Sequence, residues 1–255
     1  GMTGIYTVTV TTAAGCTATA NASVTVVTLP VAVLNSNSPV CLGGALTFTA
    51  AGGTINLTGP NGFFSAAANP TITNVTALAN GLYTLIVSAG SCTASTTTSV
   101  TINPLPIPLA GSNSPVCVGQ PINFTGNGGT GYAWSGPGTY SSGAQNPTIA
   151  VASTTNGGVY TLTGTNAKGC TNTITTNVVI NPLPVIAALN NPTVCLNTNI
   201  NLGANGGTGY AWSGPNAFVS AVQNPVIANA TAAMAGPYTV IVTSALGCTN
   251  SAIST

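Results

Sequence analysis

Reactive chemistry in this chain falls to two kinds of side chain: seven cysteines (Cys16, Cys41, Cys92, Cys117, Cys170, Cys195 and Cys248) and one amine, Lys168. A thiol can close a disulfide, ligate a metal or attack as a nucleophile. The last two uses need help that the 255 residues lack, because they contain no Asp, Glu, His or Arg. Nucleophiles need an adjacent base, and acid–base catalysis needs a group titrating near neutrality. Hard cations need carboxylates, and cysteine zinc sites use Cys-x-x-Cys knuckles, whereas no two cysteines here are close in sequence. An isopeptide bond from Lys168 would also need a carboxylate helper, so Lys168 reads as the cap of a hairpin tip. These absences argue against enzymes and predict no metal site and no cofactor. The thiols are left to form disulfides, which persist in oxidising, extracytoplasmic surroundings.

The elements that must position those thiols repeat along the chain. Gly-x-Tyr-Thr-(Leu/Val) occurs at Gly4–Val8, Gly81–Leu85, Gly158–Leu162 and Gly236–Val240, which spaces Tyr6, Tyr83, Tyr160 and Tyr238 by 77, 77 and 78 residues. Cys41, Cys117 and Cys195 each follow a Pro-containing turn, and Cys16, Cys92, Cys170 and Cys248 each precede a Thr. Self-similarity at this length predicts an array of small domains, each with its own core. The expected divisions are 1–31, the C-terminal strand pair of a truncated repeat, then repeats at 32–107, 108–185 and 186–255, the last cut short. Thr255 stops inside the last strand region, and Gly1-Met2-Thr3 opens without the features of a signal peptide. The sequence therefore reads as a window on a longer protein, with any secretion signal upstream. The cysteines sort into repeat-internal pairs, Cys41 with Cys92, Cys117 with Cys170 and Cys195 with Cys248, at separations of 51, 53 and 53. Cys16 is left without a partner by truncation.

Within a repeat the pattern is short and extended. In the middle one, Ile122 and Phe124 alternate with polar residues, Tyr132 and Trp134 share a strand face, and Tyr160 and Leu162 share another. Gly and Asn clusters punctuate these runs at regular spacing, and no helical periodicity appears. Thr, Val and Ile dominate, as strands prefer. The expected fold class is all-β: tandem immunoglobulin-like antiparallel sandwiches, one disulfide per repeat. Pro-bounded linkers, Asn103–Pro106 and Asn181–Pro184, predict stiff joints. On this reading Trp134 and Trp212 fill cores, and Tyr6, Tyr83, Tyr160 and Tyr238 are core or corner aromatics. The competing reading makes Tyr132, Tyr140 and Tyr210 glycan contacts. Asn21, Asn56, Asn74, Asn123 and Asn229 begin Asn-x-Ser/Thr sequons and are candidate glycosylation sites. A net charge of +1 offers no basic surface for nucleic acid, and no apolar run approaches a membrane span. Near-zero charge also favours association between copies.

Ser-Pro-Val-Cys, Tyr-x-Trp-Ser-Gly-Pro, Gln-Asn-Pro-x-Ile, Gly-x-Tyr-Thr-Val and Gly-Cys-Thr, in that order, resemble the Ig-like, PKD-like repeats of large Bacteroidota surface proteins exported by type IX secretion. The first repeat departs from this pattern, with Leu57 where Trp134 and Trp212 stand and Ala68 where Gln145 and Gln223 stand. The resemblance implies a secreted adhesin or filament at the cell surface, with no defined ligand. The expected function is structural: the shaft of an extracellular fibre, associating with copies of itself laterally or end to end. A glycan-binding adhesin and the accessory modules of a larger secreted enzyme are the alternatives.

Overall fold

The computed structural model describes residues 3–191 and 193–254. Gly1, Met2, Pro192 and Thr255, which include the start and end points read above, lie outside the described residues. The residues form two compact units: Gly1–Leu105 with Lys168–Cys170, and Pro106–Ala167 with Thr171–Thr255.

The first unit opens with a hairpin, β1 (Gly4–Thr11) and β2 (Thr17–Val24), paired antiparallel along its whole length. Next come β3 (Val33–Ser36), β4 (Val40–Cys41), β5 (Leu46–Ala51), β6 (Thr54–Thr58), β7 (Phe64–Ser65), β8 (Thr71–Ile72), β9 (Gly81–Ala89), β10 (Cys92–Val100) and β11 (Ile102–Asn103). They form a three-stranded sheet β3-β5-β8 and a four-stranded sheet β7-β6-β9-β10, and β11 pairs parallel with β4. The period-2 pattern sets the packing: Leu46, Phe48 and Ala50 of β5 meet Leu57, Tyr83, Leu85 and Val87 of the other sheet in one core, while the intervening threonines face out.

The second unit holds two more copies of this plan. One runs through β12 (Leu109–Ser112), β13 (Val116–Cys117), β14 (Ile122–Asn127), β15 (Gly131–Gly136), β16 (Tyr140–Ser142), β17 (Thr148–Ile149), β18 (Gly158–Thr165), β19 (Thr171–Val178) and β20 (Ile180–Asn181). Its sheets are β12-β14-β17 and β16-β15-β18-β19, with β20 parallel to β13. The other runs through β21 (Ala187–Asn190), β22 (Ile200–Asn205), β23 (Gly209–Gly214), β24 (Phe218–Ser220), β25 (Val226–Ile227), β26 (Tyr238–Thr243) and β27 (Thr249–Ser254), in sheets β21-β22-β25 and β24-β23-β26-β27. Three strands facing four, antiparallel throughout both sheets, is an immunoglobulin-like sandwich. Among the described residues the third copy has no counterpart of β4 and β11, or of β13 and β20.

The disulfides depart from the sequence expectation. Cys41 bonds Cys170 and Cys117 bonds Cys248, across 129 and 131 residues, with Cα atoms 5.6 Å apart in each. The repeat-internal pairs Cys41–Cys92, Cys117–Cys170 and Cys195–Cys248 do not form, and Cys92 and Cys195 join Cys16 as free thiols. Strand length is the reason. Cys41 lies opposite Asn103, and Cys92 starts the strand that leads there. Eleven extended residues at about 3.3 Å each separate the two by roughly 35 Å, far beyond the ~7 Å between Cα atoms that a disulfide tolerates. The cysteines of one repeat therefore sit at opposite ends of the sandwich, and the two bridges that form join cysteines of successive repeats.

Candidate functional site

The parts of this chain that do chemistry are the two bridged joints, and each is assembled from three local elements. The first is the short strand carrying Val116 and Cys117, which sits against the linker strand rather than in either sheet. Val116 N–H donates to Val179 O (3.1 Å) and Val118 N–H to Asn181 O (3.0 Å), which sets Cys117 across from Asn181. Val179 N–H donates to Ser114 Oγ (2.7 Å) and adds a side-chain tie. The same bonds recur in the first repeat, from Val40 to Thr101 O (3.1 Å), from Leu42 to Asn103 O (2.8 Å) and from Thr101 N–H to Ser38 Oγ (2.9 Å).

The second element is the linker. Ile102 is buried in the first core, and Ile180 packs against the second. Asn103 and Asn181 are buried beside them. The third element is the hairpin tip of the following repeat. Asn172 Nδ2 donates to Pro106 O (3.1 Å) and Asn250 Nδ2 to Pro184 O (3.0 Å), pinning each hairpin to the linker before it. Cys248 Sγ then lies 3.8 Å from Asn181 O, within bonding reach of Cys117. Cys170 and Cys248 are buried. Closing spans of this length stabilises by about 5 kcal/mol in the chain-entropy account. Lys168 stands exposed at such a tip, one turn from Cys170.

The aromatic residues lie inward. Trp134 and Trp212 are 1% and 2% exposed, and their Nε1 atoms donate to Gln145 O (3.2 Å) and Gln223 O (3.3 Å). Tyr83, Tyr160 and Tyr238 each donate four residues upstream, to Ala79 O (3.2 Å), Asn156 O (2.9 Å) and Met234 O (2.9 Å), in the manner of a tyrosine corner. Each ring lies on a glycine. A Cβ added to Gly59, Gly136 or Gly214 would stand 2.3 Å from the ring of Tyr83, Tyr160 or Tyr238, so the Gly-Pro and Gly-x-Tyr motifs are two halves of one contact. Burial pushes the phenol pKa of all three upward, and for Tyr160 the neighbouring Tyr140 adds to the shift. Tyr140 is likewise raised by burial, against a lowering hydrogen bond from Ser142.

Of the glycan-contact candidates, Tyr140 packs tilted against Phe124 and edge-on against Tyr160, with centroids 5.9 and 5.4 Å away. Tyr132 and Tyr210 are half-buried, and their hydroxyls donate to Gly129 O (2.7 Å) and Gly207 O (2.9 Å). Tyr6 is exposed in the isolated hairpin. The sequon residues Asn21, Asn56, Asn74, Asn123 and Asn229 are all exposed. Among the described residues no three Cys, His, Asp or Glu side chains come together as a metal site. No helix there is long and apolar enough to cross a membrane.

The joints and cores define a tandem array of immunoglobulin-like sandwiches with disulfides between repeats. No family model and no curated protein matches the chain. Solved structures to which the chain is similar include the N-terminal eight Ig domains of Down syndrome cell adhesion molecule (16% identity, TM-score 0.46), where the match covers 98% of this chain and 39% of that one. The I-band fragment I67–I69 of titin is 14% identical with a TM-score of 0.42, covering 89% and 98%. Three N-terminal domains of the bacteriophage RB49 outer capsid protein Hoc are 15% identical with a TM-score of 0.35, covering 89% and 96%.

Proposed function

We propose that this chain is a non-catalytic, load-bearing segment of the shaft of an extracellular surface fibre. The observation that carries the reading is the overlap of the two bridges: Cys41–Cys170 and Cys117–Cys248 share the stretch from 117 to 170. Tension applied at the ends crosses from Cys41 to Cys170, returns along the backbone to Cys117 and crosses to Cys248. The backbone from Cys41 to Cys248 is 207 residues long, while the bridged path uses only the 53 between Cys117 and Cys170. At about 3.5 Å per residue these paths extend to roughly 720 and 190 Å.

An oxidising, extracytoplasmic home fits the bridges, and the ordered motifs resembling Bacteroidota surface repeats favour the same location. With no acidic side chain and a single basic one, Lys168, the Thr- and Asn-rich surface has little charge to screen. The glycan-binding reading requires presented tryptophans, and Trp134 and Trp212 lie in cores.

Single-molecule stretching tests the proposal. Pulled by its termini, the oxidised chain should release no more than the 53-residue length between Cys41 and Cys248, and reductant should restore the full length. Equal release with and without reductant would remove the load-bearing role.

A further inference from the structure

We propose that the Lys168–Gly169 peptide bond is a processing site for a cation-selective endopeptidase, and that the Cys41–Cys170 bridge guards it. The inference deepens the shaft reading and rests on it, by naming where the shaft is severed and under what condition.

Lys168 is the one charged side chain in 255 residues. A protease with a carboxylate in its primary specificity pocket, as trypsin has, reads a cation there. Such an enzyme finds a single site in this chain, and one that reads acidic residues finds none. Lys168 lies between β18 and β19 in the turn 166–170, where Ala167, Lys168 and Gly169 are all exposed. Exposed tips of this kind are where nicking concentrates.

Folding does not require a cation at this place. The same five-residue turn closes the last hairpin as Ser-Ala-Leu-Gly-Cys and the first as Thr-Ala-Ala-Gly-Cys. Its glycine has φ of +83°, +80° and +79° at Gly15, Gly169 and Gly247. Ala14 and Leu246, both exposed, stand where Lys168 stands. The turn forms with or without a cation, so its geometry does not account for Lys168.

The guard is mechanical. An endopeptidase takes its substrate as an extended strand laid along its cleft, and a hairpin tip must fray to offer one. Thr165 pairs with Thr171 at the base of the turn. Beyond the scissile bond, Cys170 is 1% exposed and bonded to Cys41, and Asn172 Nδ2 donates to Pro106 O at 3.1 Å. With the bridge closed, the residues after Lys168 stay anchored at the joint. With it open, the tip unzips by a local fluctuation that costs less than global unfolding.

Severance takes two reactions. A small-molecule thiol reduces the bridges: one thiolate attacks a cysteine sulfur, and a second resolves the mixed disulfide. Each bridge becomes two protein thiols while two small thiols become one disulfide. The protease adds water across Lys168–Gly169, leaving a carboxylate on Lys168 and an amine on Gly169. Residues 1–168 carry Cys41 and Cys117, and residues 169–255 carry Cys170 and Cys248, so both bridges span the cut. A cut chain therefore stays joined while oxidised and parts on reduction.

The test is digestion of the full chain by trypsin, read by mass spectrometry, without reductant in the digest. The oxidised chain should be cut slowly. Cys41→Ser removes the guard and leaves Cys117–Cys248 closed; it should be cut about tenfold faster, and only after Lys168. Cys248→Ser removes the other bridge and keeps the guard, so its rate should stay within about threefold of the parent. Lys168→Leu, which copies the last hairpin, should not be cut. The cut parent chain should run as one species until reductant splits it into two. No cut in any form, equal rates for the parent and Cys41→Ser, or equal acceleration by Cys248→Ser would each overturn the proposal. Restricted stretching of a chain that trypsin never cuts sinks only the processing site. A guarded cut in a chain whose stretching ignores reductant sinks only the shaft.

Discussion

The hairpin β1–β2 and the strand pair β26–β27 share one local sequence plan and have opposite surroundings. Both begin at Gly-x-Tyr-Thr-Val, reach a cysteine ten residues after the tyrosine and pair antiparallel. Tyr238 is 3% exposed and Val240 and Val242 are fully buried; Tyr6 is 49% exposed, and Val8 and Val10 are exposed too. Hairpin formation is therefore local, settled by turn and alternation. Burial is not, since it depends on whether the five other strands of a sandwich are there to cover the face. A two-stranded ribbon by itself is marginal in water.

Paired substitutions sharpen that contrast. The largest effect belongs to the ring: Tyr238→Ala removes a core aromatic and its corner hydrogen bond and should cost about 3–5 kcal/mol in denaturant unfolding. Tyr6→Ala should stay within about 0.5 kcal/mol, and equal losses would show that the first hairpin is packed after all. Cys248→Ser follows, opening the bridge to Cys117 and lowering stability by about 2–5 kcal/mol, against no change for the exposed Cys16→Ser; thermal melting reads both. Gly214→Ala sets a methyl 2.3 Å from the Tyr238 ring and should cost about 1–3 kcal/mol. Gly4→Ala, with nothing within 4 Å, should be silent.

The smallest effect is that of pH. With no Asp, Glu or His, stability should be flat between about pH 5 and 8, where most proteins titrate their paired groups. The buried phenols Tyr83, Tyr160 and Tyr238 are raised above their usual value of 10.0. Their contribution is complete below that value and fades as pH climbs through the raised ones. Melting temperature against pH checks this, and an acid-side loss near pH 4 would contradict it.

Much of the sandwich was legible in advance. Alternation at Ile122 and Phe124, and at Tyr160 and Leu162, marked inner faces, and the tyrosine period marked the repeat. The Trp-Ser-Gly-Pro run could be read as a strand end, yet its purpose could not. Only the packed structure shows Gly136 yielding room for the Tyr160 ring 24 residues later. The disulfides were misread for a related reason. Cys41 and Cys92 look like a repeat-internal pair because they recur together, but sequence spacing does not reveal that an intervening strand holds them at opposite ends. The cue available was position: Cys92, Cys170 and Cys248 all sit at hairpin tips, while Cys41, Cys117 and Cys195 precede the first core strand.

By itself, the sequence determined the chemistry this chain lacks, the period of its repeat and its all-β class, because those depend on residue type and local alternation alone. The tertiary structure decided which thiols meet and which tyrosines are buried. Each of these depends on strands far apart in the chain arriving at one place, and strand length and sandwich geometry govern that arrival.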